Sequence, residues 1–249
     1  MTVPKKIYFL ADAHLGASYH QNPIAVEKKL TSWLEKIKHD AAAIYFLGDM
    51  FDYWYEYRYV APKGFVRFLG KLAELSDMGI EIHLFTGNHD IWMFDYLPQE
   101  VGATIHRDVL TVNLLGKRFF IGHGDEVDYR SRAFRFLRAF FRNPICQLLY
   151  GGIHPRWTFG FALRWSYSSR LDGLRKAEHR NDQGEAYLKS FALKYLNAHS
   201  DIDFFIFGHI HTLLDYSLSD KARLIIVGDW IKHFSFAEWD GTTLMLRKA

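Results

Sequence analysis

The chain is predicted to be an α/β protein of two stacked mixed β-sheets flanked by helices, on three observations. Up to Asp90, apolar strand-like runs alternate with amphipathic helical runs in a β-α-β-α-β rhythm. The last part of the chain, from Asp203, is dense in strand-like runs. Five short acid-and-histidine clusters stand, most of them, just after an apolar run, where ligand loops stand in parallel sheets.

Taken in order, Lys6–Leu10 is predicted as a strand and Ala25–Ile37 as an amphipathic helix. Ala43–Leu47 is the next strand, Gly64–Met78 the next helix and Ile80–Phe85 the third strand. After Asp90 the pattern shortens. Thr104–His106, Leu110–Leu114 and Arg118–Ile121 read as strands joined by turns at Arg107-Asp108 and Gly116. The final strands are Asp203–Phe207, Leu213–Leu218, Ala222–Val227, His233–Trp239 and Thr243–Arg247. A segment from Glu126 to Arg180 reads as helical in pieces, broken at Asn143-Pro144, Gly151-Gly152 and His154-Pro155. No internal repeat or low-complexity stretch interrupts this organisation, so residues 1–249 are expected to form one domain with 126–180 as an insertion.

At 249 residues the chain can bury a sizeable core. Its net charge of +3 is too mild to argue for nucleic acid. The single cysteine, Cys146, excludes an intrachain disulfide framework and fits a reducing compartment. The N-terminal apolar run ends at Asp12, too short for a signal peptide, and no run approaches the ~20 apolar residues of a membrane span. A cytoplasmic location is expected, soluble or at a membrane surface, with no obligate protein partner inferred.

Five clusters carry the chemistry: Asp12-Ala13-His14, Gly48-Asp49, Gly87-Asn88-His89-Asp90, Gly122-His123-Gly124-Asp125 and Gly208-His209-Ile210-His211. Any one of them is a weak signal; the set after strand-like runs is specific. Carboxylate, amide oxygen and neutral imidazole together suit two divalent ions of intermediate hardness, manganese foremost, with iron or zinc as alternatives. Such a pair can hold a phosphate, activate water and offset phosphoryl charge. Asp49 is the best candidate to bridge them. The flanking glycines allow tight turns. His89 and Asp90 need not bind metal; His89 can protonate a leaving oxygen or stabilise a phosphoryl oxygen.

In this order the five clusters resemble the signature of calcineurin-like metallophosphoesterases. The resemblance runs from residue 12 to residue 211 and implies a dinuclear hydrolase. It implies Asp12, His14, Asp49 and His211 on one ion, and Asp49, Asn88, His123 and His209 on the other. His89 would be the catalytic histidine, oriented by Asp90, and Asn88 and His89 would also face substrate. Within the family the chain is most similar to the UDP-2,3-diacylglucosamine pyrophosphatases of lipid A synthesis. The similarity lies in its length, the Gly48-Asp49-Met50-Phe51-Asp52-Tyr53-Trp54 block, the helical insertion and Gly228-Asp229-Trp230. That branch implies a UDP-linked diacylated sugar as substrate, manganese as cofactor and work at the cytoplasmic face of a membrane. The chain departs from its best-known members at His89, where they carry Arg.

The insertion is lopsided in charge. Eleven basic side chains face four acids, a local balance of +7, and aromatics interleave them. It is expected to form a cap over the metals, with Arg132 and Arg135 reaching phosphate and Phe140, Phe141 and Trp165 lining an acyl groove. The plainer reading is that the aromatics are ordinary core and the arginines a solvated face. Asp52, Asp125 and the Asp229-Trp230 turn read as structural as readily as functional, and the remaining histidines receive no role. Two other classes stay open: a phosphodiesterase or phosphatase for soluble substrates, and a non-catalytic scaffold, which the intact ligand set disfavours.

Overall fold

The computed structural model describes residues 5–128, 132–162, 164 and 177–249, with the backbone alone described at 134 and 177–181. The first sheet has the order β11-β10-β1-β2-β3-β4, the second β5-β6-β7-β9-β8. The strands are β1 (Lys6–Leu10), β2 (Ala41–Phe46), β3 (Glu81–Phe85), β4 (Thr104–His106), β5 (Leu110–Leu114), β6 (Lys117–Ile121), β7 (Phe204–Phe207), β8 (Leu213–Ser217), β9 (Arg223–Val227), β10 (Ser235–Trp239) and β11 (Leu244–Lys248). β1 to β4 run parallel, as do β6, β7 and β9, while β5, β8, β10 and β11 pair antiparallel at the flanks. Both sheets are therefore mixed, as the sequence predicts.

The central strands are apolar on both faces because both faces are covered. In β1, Ile7 and Phe9 enter the core between the sheets, and Tyr8 and Leu10 enter the core beneath the helices. Phe9 stacks on Tyr45 of the neighbouring strand at 5.3 Å and on Phe119 of the opposite sheet at 5.7 Å. Each such fully buried side chain contributes about 1.5–3 kcal/mol before ordering costs are set against it. The Trp239 indole N–H donates across the sandwich to the Leu114 carbonyl.

Helices α1 (Pro23–Ile37), α2 (Val66–Asp77) and α3 (Tyr96–Val101) cover the outer face of the first sheet. Helix α1 starts where Asn22 accepts the Ala25 amide and Pro23 presets the first turn. Its apolar stripe Leu30, Trp33, Leu34, Ile37 is buried. Helices α4 (Arg132–Arg142), α5 (Pro144–Gly151) and α6 (155–162) follow β6, and the breaks between them fall at the predicted Asn143-Pro144 and His154-Pro155. Helix α7 (Ala177–Ala198) crosses residue 180, where the insertion was expected to end, and lays Leu188 and Ala192 on the second sheet against Phe120, Phe205 and Phe207. No element was predicted over residues 181–198, nor at α3.

Six loops leave the carboxyl ends of the parallel strands β1, β2, β3, β6, β7 and β9. Backbone bonds join neighbouring loops (Asp12 N–H to Gly48 O, His14 N–H to Asp49 O, Gly208 N–H to His123 O and Trp230 N–H to Asp12 O), and the Asp12 and Asp90 carboxylates complete one rim by accepting the His209 amide and the Asp49 and Gly87 amides.

Candidate metal centre

Every predicted ligand stands on this rim. The backbone there is strained: of the eight non-glycine residues with positive φ among the described residues, five are Asp12, His14, Asp49, His209 and His211. Left-handed backbone at such residues costs about 1–3 kcal/mol each and concentrates where function requires it. Close approach also explains two glycines. A Cβ at Gly87 would lie 2.1 Å from Asp49 Oδ1, and one at Gly208 would lie 2.5 Å from Ala11 Cβ.

Asp49 is central. Its Oδ2 lies 3.6 Å from His14 Nε2 and 3.5 Å from His123 Nε2, and its Oδ1 accepts the His89 amide. On one side, Asp12 Oδ1 lies 3.9 Å from His14 Nε2 and 3.7 Å from His211 Nε2. On the other, His123 Nε2 lies 3.4 Å from Asn88 Oδ1 and 3.2 Å from His209 Nδ1. Donors bound at about 2.0–2.2 Å around a common ion have such spacings. The groupings Asp12–His14–His211, His14–Asp49–His89 and Asp12–Asp49–His123, the last wholly buried, each bring three donor atoms together.

The electrostatics call for cations. Asp12, His14 and His123 are fully buried and Asp49 nearly so. Asp12 Oδ1 is buried with no hydrogen-bond donor on it. Burial, with Asp49 adding to it, pushes the Asp12 carboxyl up to about 6 even with two histidines beside it. Burial would also raise Asp49, but His123 and His89 outweigh it and hold that carboxyl well below its usual range. Burial would lower the His123 ring, yet Asp49 beside it reverses the direction and raises it well above normal. Burial, then His123, lowers His209 to about 4, leaving the neutral imidazole a metal needs. The donor set fits two divalent ions.

The ring nitrogens turned away from the centre are held too. His123 Nδ1 faces the Leu47 carbonyl at 2.7 Å, and Glu126 accepts the His123 and Gly124 amides. Asp52 Oδ1 lies 3.4 Å from His14 Nδ1. His211 Nδ1 lies 3.3 Å from Asp229 Oδ2. Asp90 departs from its expected place. Its oxygens accept the backbone amides of Asp49, Met50, Phe51 and Gly87, while His89 Nδ1 faces the Asp52 carbonyl at 3.1 Å. Four backbone donors on two loops occupy Asp90, so it shapes the loops that carry Asp49 and Asn88 rather than meeting the ring of His89. Burial and the Asp49 charge raise it to about 7.

The helices α4 to α6 stand on the loops just beyond these ligands. Tyr53, Tyr55, Ile91 and Trp92 form a cluster with Phe141, Tyr150 and Phe159. Trp92 donates its indole N–H to the Phe141 carbonyl, Tyr53 hydroxyl bonds Tyr150 hydroxyl, and Tyr55 donates to Gln147 O. Arg138 Nε donates to the buried Asp125 at 2.9 Å, and Arg142 reaches Thr86 and the Arg107 carbonyl. Phe141 therefore packs against Trp92, whereas Phe140 is half exposed; Arg132 and Arg135 are exposed, and Trp165 lies outside the described residues. The two arginines that reach the rim, Arg138 and Arg142, were not singled out from the sequence. Their i, i+4 spacing around Phe141 was the available signal. Glu56 was likewise missed: its carboxylate accepts the amides of Phe94, Asp95 and Tyr96 and the Trp54 indole N–H, locking together the two loops on which helices α4 to α6 pack.

Comparison with known proteins agrees with this geometry. The chain is 51% identical over 253 residues to a UDP-2,3-diacylglucosamine hydrolase of Porphyromonas gingivalis, covering 97% of this chain and 96% of that one. It is 25% identical to proteins of the same name from Shewanella sp. strain W3-18-1, covering 91% and 90%, and from Pseudomonas paraeruginosa, covering 90% of each. The family model for calcineurin-like phosphoesterases matches residues 5–213. That match opens before the loop of Asp12 and closes beyond His211, so it spans every ligand described above, and the chain belongs to the calcineurin-like phosphoesterase family.

Proposed function

We propose that this metal-dependent hydrolase cleaves the pyrophosphate of UDP-2,3-diacylglucosamine, releasing UMP and 2,3-diacylglucosamine 1-phosphate in lipid A synthesis. The observation that carries this reading is full-length similarity, at 51% identity, to a relative named for that substrate. Asp12, His14, Asp49 and His211 would hold one ion, and Asp49, Asn88, His123 and His209 the other, with manganese the proposed metal. Two bound ions supply charge for the phosphoryl oxygens and lower the pKa of water. His89, when protonated on both nitrogens, would donate Nδ1–H to the Asp52 carbonyl and Nε2–H to a phosphoryl or departing oxygen. Asp90 holds the Asp49 and Asn88 loops in register.

The cap supports a lipid substrate and a site of action on the cytoplasmic face of a membrane. Leu148, Trp157, Phe136, Ile145, Leu149 and Phe161 of this segment are 64–77% exposed, and its Arg132, Arg135, Arg156 and Arg164 are exposed too. Apolar side chains mixed with arginine suit an anionic bilayer surface. No described helix is long and apolar enough to cross a membrane. Manganese-loaded protein incubated with UDP-2,3-diacylglucosamine should release UMP. Turnover of a small soluble phosphodiester with none of the lipid substrate would replace this reading with that of a soluble phosphodiesterase.

A further inference from the structure

Asp229 closes the loop after β9, on the far side of the rim from the cap. Its Oδ1 accepts three successive backbone amides, Ile231, Lys232 and His233, at 3.0, 2.8 and 3.0 Å. Three donors on one oxygen lock the carboxylate in a single orientation. The other oxygen, Oδ2, is thereby aimed at His211 Nδ1, 3.3 Å away. The next residue ties the same loop to the centre, since the Trp230 amide donates to the Asp12 carbonyl at 3.1 Å.

His211 needs such a hold more than His14 or His123. It leaves 27% of its side chain exposed, against 1% for His14 and 0% for His123. Packing therefore constrains its ring less than theirs. An anionic acceptor at Nδ1 keeps the proton there and turns the bare Nε2 towards Asp12 Oδ1. The partners holding the distal nitrogens also differ across the centre: Asp229 behind His211 is a carboxylate, while His123 faces only the neutral Leu47 carbonyl.

We infer that Asp229 is a positioning residue for His211, fixing its ring and tautomer so that the ion beside Asp12 binds more tightly than it would to an unsupported imidazole. The inference rests on the two-ion reading of the centre. The competing role is purely local, a side chain that caps the 229–233 turn, and Asp229→Asn separates the two. Asparagine keeps an oxygen for the three backbone amides but loses the negative charge that faces His211.

The full-length chain, stripped with a chelator, is titrated with manganese by calorimetry and followed by electron paramagnetic resonance. Wild type should take up two ions, with a coupled-pair signal at saturation. Asp229→Asn should weaken one of the two by about 10–100-fold, leave the other unchanged, and keep the melting temperature of the stripped protein. Asp229→Ala should show the same loss of affinity and a lower melting temperature. Wild-type affinities at both sites in Asp229→Asn would overturn the inference and leave the two-ion reading standing. A wild-type chain that binds no pair of ions would overturn that reading and the inference with it.

Discussion

At the rim, Asp12, His14, Asp49 and His123 are buried charged or titratable groups, each held by several contacts; on the outer side of the cap, Leu148 and Trp157 stand 77% and 73% exposed. The rim places polar groups where water is excluded, and the cap places apolar groups where water is plentiful. Both arrangements cost stability: the first suits cations, and the second fits the proposed contact with a lipid surface. Helix α4 joins the two regions. Its inner side sends Arg138, Phe141 and Arg142 to the ligand loops, and its outer side leaves Phe136 and Phe140 exposed.

The contrast predicts separable defects. The largest is expected from Asp49→Ala, which removes the carboxylate proposed to serve both ions. Activity should fall to background on every substrate, and metal analysis should find fewer than two ions per chain. Full activity with two ions would break the assignment of Asp49.

Next in size is His89→Ala. Turnover should fall by about 10²–10⁴-fold if the ring acts as a general acid, with metal content unchanged. Loss of an ion in this variant would make His89 a ligand, a role its place in the His14–Asp49–His89 grouping also permits.

Changes on the outer cap should behave differently. Leu148→Ser combined with Trp157→Ser removes two exposed apolar groups that would each contribute about 1.5–3 kcal/mol if fully buried in lipid. Binding to anionic vesicles and hydrolysis of the diacylated substrate should drop by about tenfold or more, with a soluble phosphodiester unaffected. Equal losses on both substrates would make the outer cap a structural element.

The finest test divides two neighbours. Phe141→Ala empties the contact with Trp92 and should cost up to about 3 kcal/mol in denaturant unfolding. Phe140→Ala, on the half-exposed side, should stay within about 0.5 kcal/mol. Similar costs for both would erase the inner and outer distinction on α4.

Much of the fold was legible before any coordinates. Strand runs such as Lys6–Leu10 and Leu110–Leu114 coincide with β1 and β5, because a strand buried on both faces, like β1, writes an apolar run into the chain, and one buried on a single face, like β5, writes an apolar–polar alternation. The helix breaks at Asn143-Pro144 and His154-Pro155 were legible because proline chemistry is local. Helix α7 was not. Its Leu188 and Ala192 meet a sheet whose strands lie before and after it in sequence, and nothing local names that partner.

By itself the sequence determined which side chains the protein offers at its strand ends, and in what order, since residue type and periodicity are properties of the chain. Only the tertiary structure decided what those side chains meet. Asp90 turned to four backbone amides, Asp52 came to stand against His14, Asp229 came to face His211, and Phe140 and Phe141 parted to opposite environments. Each of these outcomes depends on two segments distant in sequence meeting within hydrogen-bonding or packing distance. That proximity is set by strand order and loop docking, which residue type and spacing along the chain do not encode.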